Sequence, residues 1–245
     1  MEGNCKRCGS FRHLVKSHVI PKAFFDLSFQ AEEGPLKLFS NVEGFYPKKA
    51  PIGVYDTILC SECEEFFSDV DSYAADLLLN GRGRFTVVRG IYENVAIKLD
   101  QYNYSLLKRF FMAVLWRAGV SGQSFFHKVS LGPYEDRLLK MLDAKDPGEA
   151  DEFAVALASF DDHPVSSAIP DPFCRRKPVR HYQFQLNRYV AYMKVDNRPF
   201  EPSCRDVQLR AGSPLVVILR SFGKSKEHQV ARSIAQKNAS YRHGK

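Results

Sequence analysis

The sequence predicts an α+β protein, with a small metal-organised module over residues 1–80 and a mixed helical and β-strand domain over residues 81–245. Three observations carry that expectation. Two cysteine pairs, Cys5-x-x-Cys8 and Cys60-x-x-Cys63, stand in the first part. Helical spacing of apolar residues runs through 104–118 and 133–142, and strand-like composition marks 153–160, 182–195 and 214–219.

The cysteine pairs come first because their spacing is specific. Two residues between cysteines allow a tight turn to aim both sulfurs at one point, and two such pairs complete a tetrahedral Zn²⁺ with Zn–S bonds of about 2.3 Å. Cys5, Cys8, Cys60 and Cys63 are therefore the expected ligands of one zinc ion. A closed Cys₄ zinc leaves no coordination position for water, so its expected role is to fold the segment. The chain as given opens Met1-Glu2-Gly3-Asn4 without an apolar leader, which favours metal binding in a reducing cytoplasm over disulfides. Cys174 and Cys204 lack ligand spacing and are expected to be structural thiols.

The remaining elements follow in order. Between the pairs lies a long stretch rich in Gly, Pro and Lys up to Pro51, whose order would come from the metal. Residues 64–79 show helical spacing through Phe67, Val70, Tyr73, Ala74 and Leu77, so the second pair should open a helix that stops at Asn80-Gly81-Arg82-Gly83. Helices over 104–118 and 133–142 come next, the second begun by Pro133 and followed by Asp146-Pro147-Gly148. The strands named above then lead to a terminal basic helix over 226–237.

Composition bounds the function classes. With 44% hydrophobic and 13% aromatic residues in 245, the chain can build a core, and no apolar run approaches the roughly 18 residues of a transmembrane helix. The net charge of +7 is unevenly placed: residues 174–245 hold 16 Lys and Arg against 4 Asp and Glu, +12, leaving −5 for the rest. A basic C-terminal third suits a polyanion, and equally suits a solvated surface. The aromatic residues of the second domain, among them Trp116, Tyr182, Phe184, Tyr189 and Tyr192, read as packing before base stacking.

Inside the cysteine bracket lies Ser17-His18-Val19-Ile20-Pro21-Lys22, and Glu64 follows the second pair at once. A strand carrying His18, turned back and followed by a helix from Glu64, would set an imidazole opposite a carboxylate. That pairing suits metal-assisted phosphodiester hydrolysis, which needs a general base and a hard divalent ion.

These residues resemble the HNH, or ββα-metal, endonuclease superfamily in its zinc-bearing, treble-clef form, over about the first 70 residues. The matching stretches are Cys5-Lys6-Arg7-Cys8, Ser17-His18-Val19-Ile20-Pro21-Lys22 and Leu59-Cys60-Ser61-Glu62-Cys63-Glu64. The resemblance implies His18 as general base and Glu64 as the helix-borne ligand of a catalytic Mg²⁺ or Mn²⁺. It also places Ser17 where the family carries a metal-binding Asp or His, so a further carboxylate, Asp69 or Asp71, is expected to help. The family's base-orienting Asn has no counterpart before Cys60, with Asp56 a candidate by location. Lys16, Lys22 and Arg12 are candidates for phosphate contact. The stretch from Leu115-Trp116-Arg117 to Leu131-Gly132-Pro133 also resembles the extension of bacterial HNH-like proteins suspected in antiviral defence, implying DNA and a companion defence protein as partners.

Bland readings stand beside these. His18 could be a backbone-bonded core histidine, Glu64 a carboxylate at a helix N-terminus, and His13 a surface residue. The competing function is a non-catalytic zinc module that recognises nucleic acid or protein.

Overall fold

The computed structural model describes residues 1–25, 37–40, 48–50, 52–91, 93–160, 168–225, 228–229, 232–233 and 236. Of the predicted terminal helix over 226–237, residues 228–229, 232–233 and 236 are described and are helical; its other residues, and much of the stretch before Pro51, lie outside the described residues.

Strands β1 (Glu2–Asn4) and β2 (Phe11–His18) pair antiparallel across the first cysteine knuckle. A 3₁₀ turn at Lys22–Phe25 and two short strands, β3 (Lys37–Phe39) and β4 (Lys48–Lys49), precede β5 (Tyr55–Cys60), which pairs antiparallel with β2. Strand β5 ends on Cys60, and α1 (Ser61–Glu65) begins at the next residue, so the second pair opens a helix as its spacing predicts. The helix predicted over 64–79 is interrupted. Phe66 and Phe67 separate α1 from α2 (Ser68–Ala75), and a wider π turn at Asp76–Asn80 leads into a 3₁₀ turn at Gly81–Arg84. At the interruption Phe67 stacks on Trp116, with centroids 6.0 Å apart, while Phe66 lies under the Arg7 guanidinium.

The second part opens with a hairpin that the sequence did not signal, β6 (Thr86–Arg89) and β7 (Asn94–Leu99). Helix α3 (Tyr104–Val120) is capped by the Asn103 side chain, which accepts from Leu106 N–H at 3.0 Å, and α4 is Tyr134–Asp143. Then come β8 (Val155–Phe160), β9 (Ala168–Pro170), β10 (Phe173–Arg175), β11 (His181–Leu186), β12 (Tyr189–Lys194), α5 (Pro202–Arg205) and β13 (Leu215–Arg220). What reads in sequence as one strand over 182–195 is a hairpin, turned at Asn187 with φ 57°. Asn tolerates this left-handed conformation better than most residues.

Seven strands form the main sheet in the order β10-β11-β12-β8-β13-β7-β6, all antiparallel except β13 on β8. One face offers Tyr182, Phe184, Tyr189, Ala191, Met193, Leu157, Leu215 and Val217 to the buried cluster that includes α3. That cluster is continuous across residue 80: Phe24 stacks on Phe110 at 5.4 Å, and Phe67 on Trp116. Helix α3 is buried on every side from Leu107 to Ala118, which fits its nearly unbroken apolar sequence. Among the described residues no helix is long and apolar enough to cross a membrane.

Two of the three buried charges on α3, those fully excluded from solvent, set local energetics. Arg117, 0% exposed, donates both terminal nitrogens to the Asp71 carboxylate at 2.7 Å, tying α3 to α2. Lys108 is also 0% exposed, with the Tyr104 hydroxyl and the Glu149 carbonyl as its acceptors among the described residues, and burial holds its pKa down to about 8 from an ordinary 10.5. Between those two values the unfolded chain binds the proton and the folded chain does not, so the lysine's penalty on folding shrinks as pH rises from about 8 to 10.5. Lys108→Met is therefore expected to raise stability at pH 7 by roughly 1–3 kcal/mol and to flatten that rise, as measured by urea unfolding at pH 7 and pH 10.

Candidate functional site

Four sulfurs converge where β1, β2, β5 and α1 meet. Cys5 and Cys8 lie in the knuckle between β1 and β2, where Gly9 takes φ 72° to turn the chain back. Cys60 and Cys63 come from the β5–α1 junction, and all four sulfurs fall within 4.8 Å of one another. A tetrahedral zinc with Zn–S bonds of about 2.3 Å sets sulfurs about 3.8 Å apart, so a set gathered within that bound suits such an ion. Cys5, Cys60 and Cys63 are buried and Cys8 is exposed. Hydrogen bonding from the Ser10 backbone brings the Cys8 thiol down to about 6, whereas burial pushes the Cys63 thiol up to about 12. A divalent cation among them would offset both the burial penalty and the mutual repulsion of the thiolates. Two N–H groups already point at sulfur: Cys60 N–H at Cys5 Sγ, 3.4 Å, and Arg7 Nη1 at Cys63 Sγ, 3.5 Å.

The segment holding Ser17 and His18 is shaped by a register slip. Leu14 and Val15 pair with Cys60 and Leu59, but Ser17 and His18 pair with Asp56 and Tyr55, so a bulge separates the two parts of the ladder. Bulges re-aim side chains at functional sites. Here Ser17 is 0% exposed and its Oγ has no hydrogen-bond partner among the described residues. Glu64, in the first turn of α1, sends Oε1 to the His18 backbone N–H at 3.4 Å, and its buried Oε2 also has no partner. The carboxylate thus faces β2 and does not cap its own helix.

His18 is half-buried at the end of β2. Its Nε2 lies 3.0 Å from the Ile52 carbonyl. A carbonyl only accepts, so this contact protonates Nε2 and leaves Nδ1 as the lone-pair nitrogen. The turn presenting that carbonyl is closed by Gly53 N–H on Ala50 O at 3.2 Å. Gly53 takes φ 81°, and a Cβ there would stand 2.6 Å from the Phe25 ring, so the turn needs glycine on both counts. Tyr55 meets the His18 ring edge-on at 6.3 Å.

Other candidates lie elsewhere. Asp56, proposed by location to orient the histidine, instead accepts from Ser121 Oγ and Gly122 N–H, both at 2.8 Å, bracing the end of α3. Asp71 gives both oxygens to Arg117. Asp69 accepts from Val70 N–H at 2.7 Å and lies 3.9 Å from Arg109. Arg12 pairs with Glu62 at 2.7 Å, Lys16 lies over the Tyr55 ring at 5.2 Å, and Lys22 is exposed at the start of its 3₁₀ turn. His13 pairs on the surface with Glu2 at 3.0 Å. Among the described residues the four cysteines are the one cluster of three or more His, Cys, Asp or Glu side chains with metal-ligand spacing.

Many cations of the basic C-terminal third have internal work. Arg198 pairs with Asp196, Arg180 donates to the Tyr182 hydroxyl at 2.8 Å, and Arg205 and Arg210 donate to backbone carbonyls of Phe200 and Arg205.

Fold and site together define an α+β protein whose four N-terminal cysteines stand close enough to hold one metal ion such as zinc. No protein-family model, no curated protein and no solved structure matches the chain.

Proposed function

We propose that this chain is a metal-dependent endonuclease of the ββα-metal kind, acting on DNA from a treble-clef scaffold closed by structural zinc. The observation that carries the reading is a pair of buried oxygens, Ser17 Oγ and Glu64 Oε2, without partners beside a histidine held by a backbone carbonyl. Buried polar groups in folded proteins are nearly always satisfied, so two such oxygens at one strand–helix junction suit a bound cation. Mg²⁺ or Mn²⁺ suits hard oxygen donors, with Glu64 supplying the charge, Ser17 a neutral oxygen and water the other positions. Such an ion, when bound, supplies charge stabilisation at the phosphoryl and leaving oxygens.

The chain's own residues do the rest. The Ile52 carbonyl keeps His18 Nε2 protonated, so Nδ1 is free to take a proton from water. Lys16 and Lys22 flank the histidine and are suited to backbone phosphates, which fix register without reading sequence. The resemblance to HNH-like proteins makes defence against foreign DNA, with a companion protein, the biological setting of this reading. Purified zinc-loaded protein is expected to nick or linearise plasmid with Mg²⁺ or Mn²⁺, and His18→Ala to lower the rate at least about 10²-fold while zinc content is unchanged. Equal cleavage by the variant would remove His18 from the mechanism.

A second reading is favoured by Asp71 and Asp69, whose oxygens are engaged by Arg117 and by the Val70 N–H. In it the zinc module is a non-catalytic platform for nucleic acid or a partner protein. Calorimetric titration separates the two. Millimolar Mg²⁺ or Mn²⁺ binding to zinc-loaded protein, abolished by Glu64→Gln, supports the enzyme, and no binding supports the platform.

A further inference from the structure

The knuckle residue Arg7 makes three contacts that no other side chain there combines. Its Nη1 donates to Cys63 Sγ at 3.5 Å, its Nε donates to Asp143 Oδ1 at 2.9 Å, and its guanidinium carbon stands 3.6 Å above the Phe66 ring. Asp143 is the last residue of α4 and lies 136 positions away in sequence. Each contact has a separate physical cause. Four thiolates around one divalent ion carry a net charge of about −2, and a guanidinium against the buried sulfur of Cys63 offsets part of it. A carboxylate at a helix C-terminus meets the negative end of the dipole, so Asp143 is unfavourable unless a cation faces it. The ring of Phe66, at the α1–α2 interruption, holds the planar group between these two demands.

We infer that Arg7 couples metal retention in the four-cysteine cluster to the seating of the α4 C-terminus, so that the two form one linked equilibrium. The guanidinium bridges a sulfur ligand and a helix end through a single rigid fork. With the metal bound, the Cys63 thiolate fixes Arg7, and Arg7 fixes Asp143. With the metal gone, the cysteine knuckle that carries Arg7 loses its constraint, and the helix end loses its cation. Linkage is reciprocal: whatever loosens Asp143 from Arg7 also weakens the hold on the metal. The coupling is independent of the nuclease reading, because it involves neither His18 nor Glu64.

The test follows zinc transfer from the full-length, zinc-loaded protein to a chromophoric chelator, together with hydrogen exchange of the α4 amides. Arg7→Met is expected to speed zinc release by about 10- to 100-fold, the usual effect of removing a partner that supports a metal ligand. Arg7→Lys should restore only a fraction of that, since an ammonium cannot hold sulfur and carboxylate together. Asp143→Asn, at the surface and joined to the cysteines through Arg7, should speed release by about two- to fivefold, the range of a partly exposed ion pair. It should add nothing in the Arg7→Met background. Amides at the end of α4 should lose protection on zinc removal in the wild type and change little in Asp143→Asn, where they are already loosened. The inference fails if Asp143→Asn releases zinc at the wild-type rate, or if its effect is the same with and without Arg7. Asp143→Asn carries the test even if Arg7→Met does not fold, because it leaves every cysteine and the Arg7 contact to Cys63 in place.

Discussion

Stripping the metal from the four-cysteine cluster is expected to unfold the N-terminal module and to lower the stability of the whole chain. Structural zinc in small modules contributes about 10–16 kcal/mol of apparent binding free energy, comparable with the entire stability of an ordinary domain. Strand β1 has three residues, β2 and β5 six to eight, and α1 five, so little besides the ion opposes the entropy of this segment. Metal analysis should return one zinc per chain, and Co²⁺ exchange should give the absorption of a tetrahedral tetrathiolate. Chelation should then erase amide protection in β1, β2 and β5. Because Phe24 and Phe67 leave this segment to pack on Phe110 and Trp116, the thermal midpoint of the remainder should fall as well. Cys60→Ser should behave like chelation. Full amide protection in a demonstrably metal-free protein would show that the cysteines are not what holds the module.

Asp71→Ala is the second large effect. Removing one partner of a buried, doubly hydrogen-bonded pair leaves Arg117 charged, fully buried and unpaired, which costs about 3–5 kcal/mol. Replacing both residues by apolar ones of similar size should recover most of the loss, since the pair itself is roughly neutral against a hydrophobic substitute. Chemical denaturation of the single and double variants measures this directly. The loss should be the same with and without added Mg²⁺, which distinguishes Asp71 as the strut of α2 on α3 from Asp71 as a metal ligand.

That strut illustrates what could be read from sequence. The cysteine pairs were legible because two-residue spacing is a local property that survives folding, and the assembled sulfurs match it. Helices 104–118 and 133–142 were legible because apolar periodicity directly encodes burial, and they appear as α3 and α4 with shifts of one or two residues. Asp69 and Asp71 looked like spare carboxylates because they follow Glu64 closely. The partner that engages Asp71 comes from 46 residues downstream, and nothing local announces it. The same holds for Asp56, whose partners are Ser121 and Gly122. The orientation of His18 was invisible for another reason: a backbone carbonyl supplies it, and every residue has one. The hairpin over β11 and β12 was missed because its turn lacks the glycine that usually marks such a site, leaving Asn187 to carry the left-handed φ.

The place of β13 in the main sheet bears on how the chain reaches its native state. The last strand lies between β8 and β7, so β10-β11-β12-β8 and β7-β6 meet only through it. On a ribosome, both halves exist as separate ribbons with exposed inner edges until residue 220 has emerged. Insertion of a strand between two preformed edges, one parallel and one antiparallel, closes long loops and belongs to the slow end of folding rates. A nonsense codon after Lys194 and before Leu215 would strand two unpaired edges at once, and such fragments should be found in the aggregated fraction although every zinc ligand is intact.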